Sequence, residues 1–189
     1  MKKTLATILM IATLALAFSL PAVALTSRGE QAPDFTLTTL DGSREISLSE
    51  LAGKVVYIDF WASWCGPCRK ALPEVQALWD EYRGENFQMI GVNLDRKIEA
   101  GLKYVQSKNV TFPSVFDEGG SVSTEYGVRS IPSMIIIGPD GKVAYSEVGF
   151  NPKKLPDIKK VIEGLMAGGT PGLEPGPSSR SDVKDGRSE

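Results

Sequence analysis

The sequence predicts an α/β domain whose mixed central β-sheet has helices on both faces and is preceded by an extra N-terminal β-hairpin. Three observations predict this fold class. Apolar, β-rich segments alternate with segments of helical periodicity, as in layered α/β domains. The last two strand segments are joined only by a short turn, so they should pair antiparallel and make the sheet mixed. The composition, 42% hydrophobic and 23% charged residues in a chain of 189, is that of a folded globular protein.

The chain starts with the pattern of an export signal. Lys2 and Lys3 form a positive start, an uncharged and largely apolar run follows, and Ala22-Val23-Ala24 has the small-x-small pattern of a cleavage site. An uncleaved membrane anchor is the alternative, because no charged residue occurs between Lys3 and Arg28.

Four regions follow from this start and from changes in composition along the chain. Residues 1–24 are the predicted signal peptide, residues 25–31 a short linker, residues 32–167 the folded domain and residues 168–189 a disordered tail. The tail is assigned as disordered because its Gly-, Pro- and Ser-rich sequence has almost nothing apolar to bury.

The first half of the domain contains the hairpin, a buried strand and a long helix. Residues 34–40 alternate polar and apolar side chains, Asp41-Gly42 turns the chain, and residues 44–48 return as the second strand. Residues 54–61 are almost continuously apolar, as in a strand that is buried on both faces. Over residues 66–82 apolar side chains recur at steps of three and four, which predicts a helix.

The second half of the domain completes the sheet. The predicted strands are residues 87–94, 111–116, 134–137 and 142–148, and the predicted helices are residues 98–109, a short helix within 119–126, and a last helix from 151 or 152 to about 167. The two longer helices are indicated by apolar residues that recur on one side, and the strand over 134–137 by its run of isoleucines.

Composition excludes several classes of function. The formal net charge is −2, or −4 once the leader is removed, and no basic run stands out, so nucleic acid is not an expected partner. Histidine is absent, which excludes Ser-His-Asp and Cys-His hydrolases as well as histidine-ligated metals and haem. We expect no cofactor.

The two cysteines, Cys65 and Cys68, form a CxxC pair at the start of the predicted long helix. A zinc site would need two further Cys or His ligands, and haem attachment would need a histidine where Arg69 stands, so a redox role is the interpretation that remains. The helix N-terminus should favour the Cys65 thiolate, and Pro67 suits the first helical turn. We expect Cys65 to be the more exposed, attacking cysteine and Cys68 the more buried one, which resolves the mixed disulfide.

The sequence around this pair resembles the active-site segment of thioredoxins. The similar stretch is residues 59–68 (Asp-Phe-Trp-Ala-Ser-Trp-Cys-Gly-Pro-Cys), and the leader together with residues 32–37 (Ala-Pro-Asp-Phe-Thr-Leu) resembles the exported TlpA/ResA-like branch of that superfamily. Residues 128–133 (Val-Arg-Ser-Ile-Pro-Ser) are similar to the loop that carries the family's cis-proline, and residues 139–149 are similar to its final hairpin. The resemblance covers residues 32–167 and implies a thioredoxin fold.

The resemblance also implies roles for individual residues. Asp59 would be the buried carboxylate beneath Cys68, with a raised pKa, and would accept the proton of the resolving thiol. Pro132 would be the cis-proline, which leaves the backbone of Ile131 free to pair with a client chain. The expected client-binding residues are Trp64, Gly66, Pro67, Ile131 and Gly149, and Trp64 is expected to be exposed.

Two positions depart from the family's pattern. Gly91 stands where thioredoxins commonly have a lysine paired with the buried aspartate, so the proton affinity of Asp59 should be higher. Ala71 stands where some ResA-like reductases have a glutamate, which weakens a cytochrome-specific assignment.

The leading hypothesis is therefore an exported thiol–disulfide oxidoreductase of the periplasm or another extracytoplasmic space. Its expected partners are exported proteins with cysteine pairs or disulfides, and a membrane electron donor if it acts as a reductant; contact with the membrane itself is expected only if the leader is uncleaved. A thiol peroxidase is one alternative, but the Pro-x-x-x-Thr-x-x-Cys setting of peroxiredoxins is missing before Cys65. A non-catalytic module that binds clients through a thioredoxin fold is the other.

Overall fold

The structure is a computed structural model that describes residues 25–84 and 86–168. The predicted signal peptide, residues 1–24, and all of the predicted tail except Gly168 lie outside the described residues. Within these residues no helix combines the length and apolar character that crossing a lipid bilayer requires.

The order of strands and helices along the chain follows the predicted order. The strands are β1 (Thr36–Thr38), β2 (Glu45–Ser47), β3 (Val55–Trp61), β4 (Phe87–Asn93), β5 (Ser114–Phe116), β6 (Ser133–Ile137) and β7 (Val143–Val148). The helices are α1 (Gly66–Tyr82), α2 (Ile98–Ser107), α3 (Ser121–Glu125) and α4 (Leu155–Met166), with single 3₁₀ turns at Ser49–Leu51, Glu118–Gly120 and Pro152–Lys154. The elements agree with the predicted ranges, although several are shorter by one to three residues at an end, where helices and strands commonly fray.

The central sheet is mixed, as predicted. Its strand order is β5-β4-β3-β6-β7, with β5, β4 and β3 parallel to one another and with β6 and β7 antiparallel to their neighbours. Strands β1 and β2 form a separate antiparallel hairpin. Because β3 has a strand on each side and a packed layer on each face, all seven of its residues are buried.

Side chains alternate along β3 and build a core on each face of the sheet. On one face, Val55 and Tyr57 pack with apolar residues of α1 and α4. On the other face, Val56, Ile58 and Phe60 pack against the hairpin and α3. The predicted layers on both faces are therefore present, and the N-terminal hairpin contributes to one of them.

Four connecting segments meet at one end of the sheet. The parallel strands β3 and β4 end here, at Trp61 and Asn93, whereas β6 begins here at Ser133 and β7 ends here at Val148. The predicted cysteine pair follows Trp61 directly. The topology thus brings together residues that are distant in sequence.

Residues 25–31, predicted to be a linker, lie against the folded domain. Gly29 N donates to Val143 O at 2.8 Å, and Val143 N donates to Glu30 O at 2.9 Å, so this segment pairs with the free edge of β7. Thr26 N donates to Tyr126 O at 3.0 Å, and Leu25 packs against the core on the hairpin side. We call residues 25–31 the N-terminal strap. The segment is ordered because an edge strand offers its backbone groups as partners.

Candidate active site

The cysteine pair lies at the N-terminus of α1 and is oxidised to a disulfide. Cys65 is the residue that caps the helix, and the Cys68 N–H donates to Cys65 Sγ at 3.2 Å. The two sulfur atoms are bonded at 2.06 Å. Pro67 occupies the first turn of α1, where a backbone N–H would have no partner within the helix. The predicted position of both cysteines relative to the helix is confirmed.

The prediction that Cys65 is more exposed than Cys68 is wrong for this oxidised structure. Cys65 is 4% exposed and Cys68 is 5% exposed, and both belong to a small apolar cluster that includes Trp61. A position at the helix N-terminus indicates exposure, but the distant residue Ile131 packs against this cluster and buries it. Trp64, in contrast, is 65% exposed, as predicted.

The loop before β6 lies against the cysteine pair. The Ile131–Pro132 peptide bond is cis, which confirms the prediction made from the family resemblance. The Ile131 carbonyl oxygen is 3.6 Å from Cys65 Sγ. Gly149 adjoins this loop, since its N–H donates to Pro132 O at 2.7 Å, and its φ of +85° lies in the region that favours glycine. Ile131 is therefore adjacent to Cys65, and Pro132 and Gly149 adjoin Ile131 in the same part of the structure.

Asp59 is a buried carboxyl group at the centre of the sheet. It pairs in register with Gly91 of β4 and with Met134 of β6. Its side chain lies on the face that α1 covers, because side chains two residues apart in a strand share a face and Trp61 belongs to the cluster of the two cysteines. Asp59 is 5% exposed, and burial raises the pKa of its carboxyl group from 3.8 to about 7. Burial and the raised pKa agree with the prediction.

Gly91 explains why Asp59 has no cationic neighbour in this row of the sheet. A Cβ atom built on Gly91 would lie 2.8 Å from Ser114 Oγ and 2.9 Å from Trp61 Nε1, so the present packing leaves no room for a side chain. Burial is the sole cause of the pKa shift at Asp59, and no charged group offsets it. Ala71, the second departure from the family's pattern, is a buried residue of α1 and belongs to the core on that face of the sheet.

The structure also places near the site three polar residues that were not predicted from the sequence: Ser63, Asn93 and Asp95. Asp95, just after β4, accepts hydrogen bonds from Ser63 N at 3.0 Å and from Ser63 Oγ at 2.9 Å. Asn93 Nδ2 donates to the same carboxylate at 2.8 Å. A signal was available, because loops at the carboxyl ends of neighbouring parallel strands meet at the same end of a sheet. Asp95 follows β4 as Ser63 follows β3, so their proximity could have been inferred.

The described residues contain no cluster of three or more Cys, Asp or Glu side chains that could hold a metal ion. The two cysteines, the only ones in the chain, are bonded to each other. The arrangement can therefore accept or donate two electrons by opening and closing one disulfide.

The class that this fold and this cysteine pair define is the thioredoxin-fold thiol–disulfide oxidoreductases. A family model described as Redoxin matches residues 27–162, and the chain belongs to that family.

Similar proteins carry names of the same class. The thiol-disulfide oxidoreductase ResA of Bacillus thuringiensis is 32% identical over 143 residues, which are 76% of this chain and 79% of that protein. ResA of Geobacillus thermodenitrificans is 34% identical over 137 residues, which are 72% of this chain and 77% of that protein. A crystal structure from Chlorobium tepidum, provisionally assigned as the thiol:disulfide interchange protein DsbE, has 36% identity and a TM-score of 0.70, covering 75% of this chain and 99% of that one.

Proposed function

We propose that the protein reduces disulfides in exported proteins through the Cys65–Cys68 dithiol. The observation that carries this proposal is the position of Cys65 between a helix N-terminus and the backbone of Ile131. The Cys68 N–H is 3.2 Å from Cys65 Sγ on one side, and the Ile131 carbonyl is 3.6 Å from it on the other. The first group stabilises a thiolate, and the second lies where a client chain would pair.

In the proposed reaction Cys65 is the nucleophile and Cys68 is the resolving cysteine. The Cys65 thiolate attacks one sulfur of a client disulfide, forms a mixed disulfide and releases the other client sulfur as a thiolate. The Cys68 thiolate then attacks Cys65 Sγ, forms the Cys65–Cys68 disulfide and releases the second client thiolate. Two electrons pass from the protein to the client, and the oxidised pair seen here is the product. A separate electron donor must restore the dithiol.

Asp59 is the proposed base for the second step. The thiol of Cys68 must lose its proton before it attacks, and a carboxyl group with a pKa of about 7 is suited to proton transfer near neutral pH. The position of Asp59 supports this role, because the residue lies two residues before Trp61 on the face of β3 that α1 covers. Water has limited access to it, because Asp59 is buried.

We further propose that clients bind as an extended strand beside Pro132. Within the described residues the N–H of Ile131 donates to no acceptor, so it can bond with the backbone of a client. Backbone pairing of this kind binds extended segments with little dependence on their sequence. The exposed ring of Trp64 and the small surfaces of Gly66, Pro67 and Gly149 would lie along the bound segment.

The proposed location is the periplasm or another extracytoplasmic space, on the strength of the export pattern in residues 1–24. The proposed partners are exported proteins with cysteine pairs and a membrane protein that supplies electrons. An uncleaved leader would instead anchor the domain to the membrane. Ala71 provides no carboxylate beside the cysteine pair, so we do not propose a cytochrome as the client.

The experiment uses the reduced protein and insulin as a disulfide substrate. We expect rapid reduction of insulin, complete loss of activity in Cys65→Ser, and trapped mixed disulfides with clients in Cys68→Ser, because that variant cannot resolve them. A protein that does not reduce insulin, and whose Cys65→Ser variant binds clients as well as the unchanged protein does, would be a non-catalytic binding module. Rapid turnover of hydrogen peroxide with a sulfenate at Cys65 would favour a thiol peroxidase instead.

The direction of electron transfer is tested by the reduction potential of the pair. A potential near that of thioredoxin, about −270 mV, supports a reductant. A potential near about −120 mV would contradict the proposed direction, because such a pair oxidises its clients.

A further inference from the structure

The carboxylate of Asp95 is held in a buried hydrogen-bond network directly behind the cysteine turn. Its two oxygens accept from Ser63 N, Ser63 Oγ and Asn93 Nδ2 at distances between 2.8 and 3.0 Å. The Asp95 N–H donates to Asn93 Oδ1 at 3.2 Å, so the two residues also hold each other. Both Asp95 and Asn93 are buried. A buried carboxylate with three donors is a strongly fixed group.

Ser63, the residue that Asp95 holds, belongs to the turn that delivers Cys65 to the helix. The Cys65 N–H donates to Ala62 O at 3.1 Å, which makes residues 62–65 a tight turn with Ser63 and Trp64 at its centre. Cys65 then caps α1. The position of Cys65 Sγ relative to the Cys68 N–H therefore depends on the conformation of a turn whose second residue is fixed by Asp95.

We infer that Asp95 is a positioning residue for Cys65. By binding both the backbone and the hydroxyl group of Ser63, it fixes the turn in the conformation that sets the Cys65 sulfur against the first N–H groups of α1. The inference deepens the proposed function, on which it rests, and assigns to Asp95 a role that acts through Ser63 and not through contact with a client.

Two possible effects of Asp95 on Cys65 have opposite signs. If Asp95 acts only as a nearby negative charge, it disfavours the Cys65 thiolate, and its neutralisation should make Cys65 more reactive. If Asp95 acts by fixing the turn, its replacement should separate Cys65 Sγ from the N–H groups that stabilise the thiolate, and Cys65 should become less reactive. An asparagine cannot accept with its amide nitrogen, so Asp95→Asn both removes the charge and breaks part of the network.

The experiment measures the rate at which iodoacetamide alkylates Cys65 in the fully reduced full-length protein between pH 4 and pH 9, with mass spectrometry to identify the modified cysteine. We expect Asp95→Asn and Ser63→Ala to slow alkylation at pH 7 by about threefold to tenfold. The midpoint of the pH profile should move to higher pH by a corresponding amount. Ser63→Thr, which keeps the hydroxyl group, should restore most of the rate. No client is involved, so the result does not depend on whether the protein reduces insulin.

Asp117 and Ser121 provide matched controls at another buried carboxylate. Asp117 accepts from Val122 N and Ser123 N at the start of α3 and from Ser121 Oγ, so Asp117→Asn and Ser121→Ala remove the same kinds of bonds. These controls should lower thermal stability without changing the alkylation profile of Cys65.

Faster alkylation in Asp95→Asn would overturn the inference. An unchanged profile in Ser63→Ala would overturn it as well, and this variant serves even if Asp95→Asn does not fold.

Discussion

Asp59 places an ionisable group where ionisation is costly. The carboxyl group is buried in the central strand, and no cation lies beside it in the register of the sheet, because its neighbours in that row are Gly91 and Met134. A carboxylate in such surroundings loses its hydration without a compensating partner. The folded protein consequently retains a proton on Asp59 at pH values where the unfolded chain has released it.

Asp59 should therefore make the stability of the fold depend on pH. The pKa of Asp59 is raised from 3.8 to about 7, so the folded state binds more protons than the unfolded state between these values, and the free energy of unfolding falls as pH rises through that range. The loss amounts to about 4 kcal/mol above pH 7. We expect Asp59→Asn to stabilise the oxidised protein by up to about this amount at pH 8 and by little at pH 4, as measured by urea unfolding.

Asp41 is a suitable comparison for this measurement. Its pKa is lowered to about 2 by hydrogen bonds from Thr39 and Ser43, so its ionised form is the favoured one in the folded state. Asp41→Asn should therefore give no gain in stability at pH 8. Equal gains from both substitutions would show that the general charge of the protein, and not the burial of Asp59, is responsible.

The same substitution at Asp59 should slow catalysis while it stabilises the fold. General-base catalysis contributes about 10²-fold to 10⁴-fold to proton transfer steps, so the release of client from the mixed disulfide should slow by about 10²-fold or more at pH 8 in Asp59→Asn. Rapid-quench trapping of the mixed disulfide measures this step directly. An unchanged rate of resolution would remove Asp59 from the proposed mechanism.

At the scale of elements, α2 packs closely against the end of β4 at a glycine, Gly101. A Cβ atom on Gly101 would lie within 2.7 to 2.9 Å of three atoms of the Asn93 side chain. Asn93 cannot easily move away, because it is bonded to Asp95 through its own side chain. The helix therefore has a glycine in its interior, although glycine weakens helices in general.

Gly101→Ala should reverse the usual effect of replacing glycine by alanine in a helix. We expect a loss of about 1–3 kcal/mol in the free energy of unfolding, because overpacking against Asn93 outweighs the gain in helix propensity. Gly164 of α4 is the matched control, since a Cβ atom there meets nothing within 4 Å. Gly164→Ala should gain up to about 1 kcal/mol. Denaturant unfolding of both variants checks the difference, and a gain at both positions would contradict the packing argument.

The elements themselves could be predicted from sequence because their signals are local. The bounds of α1, Gly66–Tyr82, agree with the prediction, since the helix starts at a CxxC pair with a proline in its first turn and repeats apolar residues along one side. The contacts that complete the site are not local. Ile131 reaches Cys65 across 66 residues, and Asp95 reaches Ser63 across 32, and neither contact leaves a periodic pattern in the sequence.

The same distinction explains the wrong prediction about Cys65. Its position at the helix N-terminus indicates exposure, but its burial depends on packing with the distant loop before Pro132. The family resemblance supplied that loop and its cis bond, which no propensity of single residues could indicate.

At the scale of the whole molecule, the N-terminal strap covers the start of the outer edge of β7, at Lys142 and Val143. Strand β7 is the last strand of the sheet, and its Val143 N–H and C=O groups are bonded to Glu30 and Gly29. An uncovered edge strand presents unpaired backbone groups to other chains.

Removal of the strap should therefore promote self-association. We expect a protein that begins at Gln31 to form dimers or larger species with increasing concentration, whereas one that begins at Leu25 remains monomeric under the same conditions. Light scattering coupled to size-exclusion chromatography makes this comparison. Identical elution and mass at all concentrations would show that the strap does not protect the edge.

The long sequence separation between the parts of the site has a consequence for the order in which the chain matures. The helix and its cysteine pair depend on local contacts and can form early, whereas contacts between distant segments form slowly. Until β4 and β6 join the sheet, the cysteine pair has neither Asp95 behind it nor Ile131 beside it. A partly folded chain thus carries an ordinary thiol pair, and it gains the reactivity of an enzyme only when its fold is nearly complete.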